Sequence, residues 1–394
     1  MKGPGFGLHP NATKCEFIWL DHSRSSPCPL LSGSSPATIP VTSLSDLSIL
    51  GVPLGPPDIV SPFVAQKLLN NLTPLLEKLM AFEDTQAASF LLRISFSAVR
   101  ATHFMRTTPL THWRSIATTF DSNIRRAFET IVGFPLSPSA YTQASLTPRL
   151  GGFGIRQVAL HADGAFAASR FEVFSTWGSK LGWSSSPDPC TSQQEASFSL
   201  DSSLLSSLIA SAPTPLDRQR LNRVSQPHAG AWVTAVPSSV DGPDTLIRPR
   251  AFRVACRLRL GIPVWHEGAS CPCCTHTLDI FGVHALCCTT SGDLIARHNR
   301  IRDLVDKIAR EGHLGPVLEK KGILGETSGR RPGDVTIPLW CEGKGLAIDV
   351  AVTCPFSASN MARDNPAEYY AEKLKHRKYD AGFVGLNFDF SALV

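Results

Sequence analysis

Hydrophobic and polar positions divide this chain into stretches of different period. In the first sixty residues, short apolar runs such as Phe17–Leu20 and Leu47–Val52 are broken by Pro, Ser and Gly, which predicts strands and turns. From Pro62 to Arg106 the pattern becomes helical, with Val64, Leu68, Leu69, Leu72, Leu75, Leu76 and Leu79 at three- and four-residue steps. Pro74 falls inside this run and predicts a kink or a division. Further helices are expected over Phe90–Met105 and around Trp113–Val132. The glycine-rich turn Leu150–Ile155 then leads into an Ala-rich helix, Gln157–Arg170. From Trp177 to Pro213, Ser and Pro dominate and periodicity fades, which reads as a linker or loosely ordered surface segment.

Ala251–Leu260 predicts a short helix, and the last hundred residues predict a small α/β unit. There, Leu294–Arg310 places Ile301, Leu304, Val305 and Ile308 on one helix face. Val317–Glu319 begins an extended piece, and Asp334–Trp340 and Leu346–Thr353 read as strands. Asn365 before Pro366 is a capping signal for a helix running to about Tyr379. The expected fold class is an α+β multidomain chain: a helical region, a cysteine-rich knuckle, and a small α/β domain with a mixed sheet and flanking helices.

Composition refines this picture. With 394 residues, 43% of them hydrophobic, the chain can bury substantial cores. A net charge of +5 does not by itself imply a polyanionic partner, but Leu91–Arg170 holds nine Arg, no Lys and three acids, a bias that favours phosphate contacts. Eleven cysteines are present, and five crowd between Cys271 and Cys288, unlike a spread disulfide framework. Met1–Gly7 lacks the apolar core of a signal sequence, and no apolar run approaches membrane-spanning length. The expectation is an intracellular, reduced, soluble protein with no membrane partner.

Three groups of residues carry candidate chemistry. Cys271, Cys274, His284 and Cys288 have the spacing of a tetrahedral zinc site, with Asp279–Gly282 as the returning turn. Four protein ligands leave no open position, so the zinc is expected to be structural. Cys273, His276 and Cys287 are neighbouring candidates that leave slack in the assignment. Asp334 and Asp349 are candidate magnesium or manganese carboxylates. Asp349 interrupts an apolar strand, where an unpaired charge is strongly unfavourable; a salt bridge to a nearby Arg is the plainer alternative. Glu319 is placed to complete that cluster. Lys375 and Lys378, three apart, share a helix face near it, either to assist at a phosphate or as a solvated basic face. Arg297 and His298, followed by Asn299, are expected to touch DNA or to brace the knuckle.

The order of these motifs resembles the C-terminal part of non-LTR retrotransposon proteins of the early-branching type, which carry a restriction-like endonuclease. Lys14, within Gly7–Glu16, is similar to the lysine-bearing motif near the end of a reverse transcriptase palm, and Leu50–Gly55 resembles the primer grip. Gln143–Ile155 is similar to the thumb region. The resemblance implies a palm remnant at 1–60, a helical thumb-like region at 61–176, a Ser/Pro-rich linker with connecting helices at 177–250, a CCHC zinc knuckle at 251–290 and a restriction-like endonuclease domain at 291–394. It implies catalysis by Asp334, Asp349, Glu319, Lys375 and Lys378. Nucleic-acid contacts are assigned to Arg297, His298, Arg331, Lys14, Arg125 and Arg126. Target DNA and retroelement RNA are the implied partners, with room for a separate full-length reverse transcriptase, and the nucleus is the implied location.

The sequence also departs from the family. No Tyr/Phe-x-Asp-Asp motif occurs, so polymerisation is not expected; the missing polymerase aspartates would precede Met1, and the chain reads as trimmed at both ends. The Pro-Asp pair is interrupted as Pro332, Gly333, Asp334, a shift ascribed to glycine flexibility. Ala351 stands where restriction-like folds often carry a lysine, so that lysine is expected from the helix. The leading expectation is a magnesium-dependent nicking endonuclease. The alternatives are a non-catalytic DNA- or RNA-binding remnant and a decayed, unstable product.

Overall fold

The computed structural model describes residues 47–183, 192–238, 245–325 and 329–394. The Gly7–Glu16 motif with Lys14, and the Phe17–Leu20 run, lie outside the described residues. The chain is α+β. A two-residue hairpin pairs β1 (Ser48–Ile49) with β2 (Val52–Pro53). Helices α1 (Pro57–Ala65), α2 (Thr73–Met80), α3 (Thr85–Leu91), α4 (Ala98–Thr107) and α5 (Arg114–Val132) follow, with π turns after α1 and α3. Next come α6 (Pro138–Ser145), α7 (Val158–Trp177), α8 (Gln193–Ala210), α9 (Pro215–Val224), α10 (Ala231–Thr234) and α11 (Pro249–Leu260). The remainder comprises α12 (Val283–Cys287), α13 (Asp293–Glu311), β3 (Val317–Leu318), β4 (Val335–Cys341), β5 (Lys344–Val350), α14 (Pro366–Tyr369), α15 (Arg377–Phe383) and β6 (Phe388–Leu393).

Two compact units divide the chain. The first takes residues up to Pro135 together with Gly154–Ser203; the second takes Leu136–Phe153 and Leu204–Val394. In the first unit, Val64, Leu68, Leu72, Leu76 and Leu79 are buried as their spacing predicts, with Val60 beside them, whereas Leu69 is half-buried and Leu75 is 41% exposed. Pro74 divides the run by occupying the first turn of α2, where its missing N–H costs nothing. The inner face of α5, from Ala117 through Ile131, completes this core against α2, α3 and α7.

The start of α7 is held from a distance. Asp121 on α5 accepts the backbone N–H of Val158 at 2.7 Å and of Ala159 at 2.9 Å, satisfying two donors that a helix N-terminus leaves open. The Ser-rich stretch read as a linker is corrected by α8. Ser192 and Glu195 form a reciprocal capping box at its start, each side chain bonding the other's N–H. Its inner face is polar: Ser197 and Asp201 are buried against His161, and Asp201 also takes Arg156. A helix docked through hydroxyl, imidazole and carboxylate leaves no apolar period to read.

The second unit contains a four-stranded sheet of order β3-β4-β5-β6. The first two pairings are antiparallel, and β5 with β6 is parallel. Glu342 and Gly343 join β4 to β5 with φ of 51° and 76°, the positive-φ pair that a two-residue hairpin requires. A parallel pair needs a crossover, and the helical segment from α14 to α15 supplies it, opened by Asn365 accepting the N–H of Glu368. Ile323, Ala347 and Phe383 form the buried centre, packed by Tyr379, Leu386, Phe388 and Phe390. The helix expected over Leu294–Arg310 forms as α13, but its apolar residues are only partly covered: Ile301 and Val305 are half-buried, Leu304 and Ile308 are 44% and 49% exposed, and Ala309 is its one buried residue.

Buried guanidinium groups fasten the rest of this unit. Arg259 on α11 donates to the carbonyls of Pro148, Ala229 and Gly152 and lies against Phe153 and Trp232. Gln143 on α6 bridges the carbonyls of Gly151 and Arg259 and accepts from Arg220. Arg223 on α9 donates to the carbonyls of Pro355, Asn360 and Arg363, fixing the loop after β5.

The Asp121 link sets a pH dependence. Burial outweighs the two backbone donors and raises its carboxyl from 3.8 to about 6. The folded state therefore holds that proton more tightly, so the contribution to stability is full below 3.8 and is lost as pH rises through about 6. Comparing unfolding of wild type and Asp121→Asn across this window, wild type is expected to lose on the order of 3 kcal/mol relative to the variant. A difference that grows in favour of wild type with rising pH contradicts the assignment.

Candidate metal centres

The knuckle is built by one tight return of the chain. A bridge between Ser270 and Thr277 closes a miniature hairpin, with the N–H of Cys271 on the carbonyl of His276 and that of Leu278 on Ala269. Asp279 accepts the N–H groups of Phe281, Val283 and His284, and Gly282 turns the chain at φ 76°. The expected turn is thus present, held by one carboxylate that also caps α12. This places His284 and Cys288 over the first pair.

The ligand atoms of Cys271, Cys274, His284 and Cys288 all lie within 4.8 Å of one another. Cys271 and Cys288 sulfurs are 3.9 Å apart, and Cys274 Sγ lies 3.2 Å from His284 Nε2. A tetrahedral zinc with ordinary zinc–sulfur bonds sets its thiolates about 3.8 Å apart, so these residues fit that ion. The N–H of Cys273, foremost among its hydrogen bonds, holds the Cys271 thiol down to about 6, which favours the thiolate a metal needs. Cys273 is exposed, and burial together with contact to Cys354 pushes the Cys287 thiol up to about 12. Both stand outside the cluster. His276 stacks on His284 at 5.5 Å and supports its ring. Arg297 donates to the carbonyl of Leu286, bracing α12.

The acidic residues arise from sheet register. Val335 pairs with Ile348, and Leu318 with Val335. One step further along the same register sets Asp334 opposite Asp349, and Glu319 opposite Asp334, whose carbonyl takes the Glu319 N–H at 2.8 Å. Gly333 makes this approach possible. A Cβ there would meet the backbone N of Ile348 at 3.0 Å and the Ala347 Cβ at 3.1 Å. Lack of a side chain, rather than the flexibility expected of it, accounts for glycine between Pro332 and Asp334.

Each carboxylate has a cationic neighbour. Lys375 Nζ lies 2.6 Å from Asp349 Oδ2, a buried oxygen with no other side-chain or backbone donor among the described residues. Burial raises the Asp349 carboxyl, Lys375 opposes that, and Asp334 adds to it, with a net upward shift. Burial lowers the Lys375 ammonium, but its contact with Asp349 outweighs this and raises it. Asp334 accepts the N–H of Val350 at 2.7 Å, and its other oxygen is 3.5 Å from His298 Nε2. Glu319, at φ 47°, is held by Arg302 at 3.1 Å and by Arg331.

Sequence reasoning missed Arg302, although it lies one helical turn beyond His298 on the same face of α13. Lys378 lies over the Tyr379 ring at 4.6 Å and acts on Asp349 only through its charge. Arg331 is engaged with Glu319, and Arg125 is paired with Glu129 on its own helix, while Arg126 is exposed. Among the described residues, no second group of three or more Cys, His, Asp or Glu side chains converges to hold a metal ion; Glu319, Asp334 and Asp349 lie in one row without forming such a cluster. No helix among the described residues is long and apolar enough to cross a membrane.

No protein-family model and no curated protein matches this chain.

The knuckle assignment has a direct measurement. Purified protein is expected to carry one equivalent of zinc by elemental analysis, retained in Cys273→Ser and lost in Cys288→Ser. Chelation is expected to lower the melting temperature by about 10 °C; an unchanged melt would mean that the cluster is four packed thiol and imidazole groups.

Proposed function

We propose that this chain is a metal-dependent DNA endonuclease of the restriction-like type, joined to nucleic-acid-binding helices, in the C-terminal part of a non-LTR retrotransposon protein. On this reading it nicks target DNA to prime reverse transcription, works in the nucleus alongside retroelement RNA, and does not itself polymerise. The observation that carries the proposal is the register that sets Asp334 opposite Asp349 with Lys375 2.6 Å from the second carboxylate. The buried Asp349 oxygen, whose partner here is the Lys375 ammonium, would serve as a ligand for a cation.

Asp334 and Asp349 would hold a magnesium or manganese ion. Bound there, such an ion would supply Lewis-acid activation of water and of the scissile phosphate. Lys375 neutralises Asp349 in the resting protein and offers its ammonium to phosphate oxygens when substrate arrives. His298 orients Asp334 from α13, and the hydrogen bond from Val350 fixes that carboxylate's other oxygen. Lys378 adds positive charge on the substrate side.

A second reading, a binding module without cleavage, is favoured by the capture of Glu319 between Arg302 and Arg331. Supercoiled plasmid incubated with magnesium or manganese separates the two. Wild type is expected to produce open circles, Asp349→Asn none, and Lys375→Ala about 100-fold fewer, with DNA affinity of all three within about twofold. Equal nicking by wild type and Asp349→Asn would remove the endonuclease proposal.

A further inference from the structure

Helix α11 has a cationic side with no assigned partner. Its inner side is committed to packing: Phe252, Cys256, Arg259 and Leu260 are buried, and Arg259 is fastened to three carbonyls. Arg250 and Arg253 are exposed, as is Arg248 at the N-cap. None of the three side chains has a hydrogen bond or ion pair among the described residues. Arg250 and Arg253 are three apart and therefore share one face, which the half-buried Arg257 continues. From Thr245 to His266 the sequence contains five Arg and no Asp or Glu.

The helix is a rigid base for these charges. Gly261 caps it at φ 67°, and a Cβ at that position would meet the Arg220 guanidinium at 2.4 Å. The chain then enters the knuckle directly, with the N–H groups of Val264 and Trp265 both on the carbonyl of Ile280. The exposed arginines therefore stand on an element that cannot shift without disturbing buried contacts, and whose C-terminal end leads into the Cys/His cluster.

We infer that Arg248, Arg250 and Arg253 form a binding face for the sugar–phosphate backbone of a nucleic acid. This deepens the nucleic-acid reading proposed above and rests on it, but not on cleavage. Guanidinium forks match phosphate oxygens in pairs and remain charged at any working pH. An anionic membrane is the poorer fit. An interfacial helix inserts an apolar face, whereas the apolar side of α11 is buried and Val254 is its only large hydrophobic side chain among the exposed ones.

The test uses the full, zinc-loaded chain with Asp349→Asn and no added magnesium, so that cutting plays no part. Binding to a short DNA duplex, to single-stranded RNA and to phosphatidylserine vesicles is followed over a salt series. Arg250→Glu with Arg253→Glu is expected to weaken nucleic-acid binding about tenfold or more at moderate salt and to reduce the log–log salt slope by about 2 on duplex. Arg250→Lys with Arg253→Lys is expected to preserve most of that slope. Arg250→Ala with Arg253→Ala gives the same readout if the glutamates disturb folding, with zinc content and circular dichroism as controls. Unchanged affinity and slope in a folded variant overturn the inference, as does tighter binding to vesicles than to either nucleic acid. Loss of slope in a protein that never nicks DNA leaves this face standing and removes only the nuclease proposal.

Discussion

A carboxylate in the middle of a sheet strand is expensive to keep, and the second unit is organised around keeping one. Asp349 lies between Ile348 and Val350 on β5, largely buried, where an uncompensated charge is strongly destabilising. The crossover helix answers that constraint by bringing Lys375 to Asp349. Gly333 and the sheet register set a second acid, Asp334, opposite, which works against it, and the raised Asp349 carboxyl reflects burial and that second charge together. A stable fold alone would be served as well by an apolar residue at Asp349. Retaining the charge at this point of the sheet is what gives the site its chemical character.

The surrounding frame relies on polar fastening where apolar packing is thin. In the knuckle Cys271, Leu278 and Cys288 form the buried cluster, too little to hold a hairpin and a five-residue helix by packing, a role that a metal held by the four side chains would take. Elsewhere Arg259, Arg220 and Arg223 donate to backbone carbonyls that loops leave open. Arg223 in particular fixes the segment after β5, which carries the chain from Asp349 to the helix of Lys375. The same unit therefore links the knuckle helix α11, the sheet and the lysine through side chains buried in its interior.

Much of this was legible in the residues. Cys271, Cys274, His284 and Cys288 were identified by spacing, because metal ligation imposes a short local code. Asp349 stood out because a lone acid in an apolar run demands compensation, and Asn365 with Pro366 marked the start of the last helix through capping. What stayed hidden depends on partners far apart in sequence. α8 was unreadable because it docks through Ser197 and Asp201 onto His161. Arg302 and Arg331 were not legible as the clamp on Glu319, since ion pairing at a distance leaves no periodic trace. Gly333 looked like a departure until the close approach of Ala347 and Ile348 explained it.

Cation binding tests the central claim most directly, independently of turnover. Manganese titrated into zinc-loaded protein and followed by electron paramagnetic resonance should give one bound ion per chain in wild type. That signal should vanish when Asp334 and Asp349 are both replaced by Asn, and should persist in Lys375→Met. Absence of a bound ion in wild type, or a signal indifferent to the two aspartates, would contradict the metal centre.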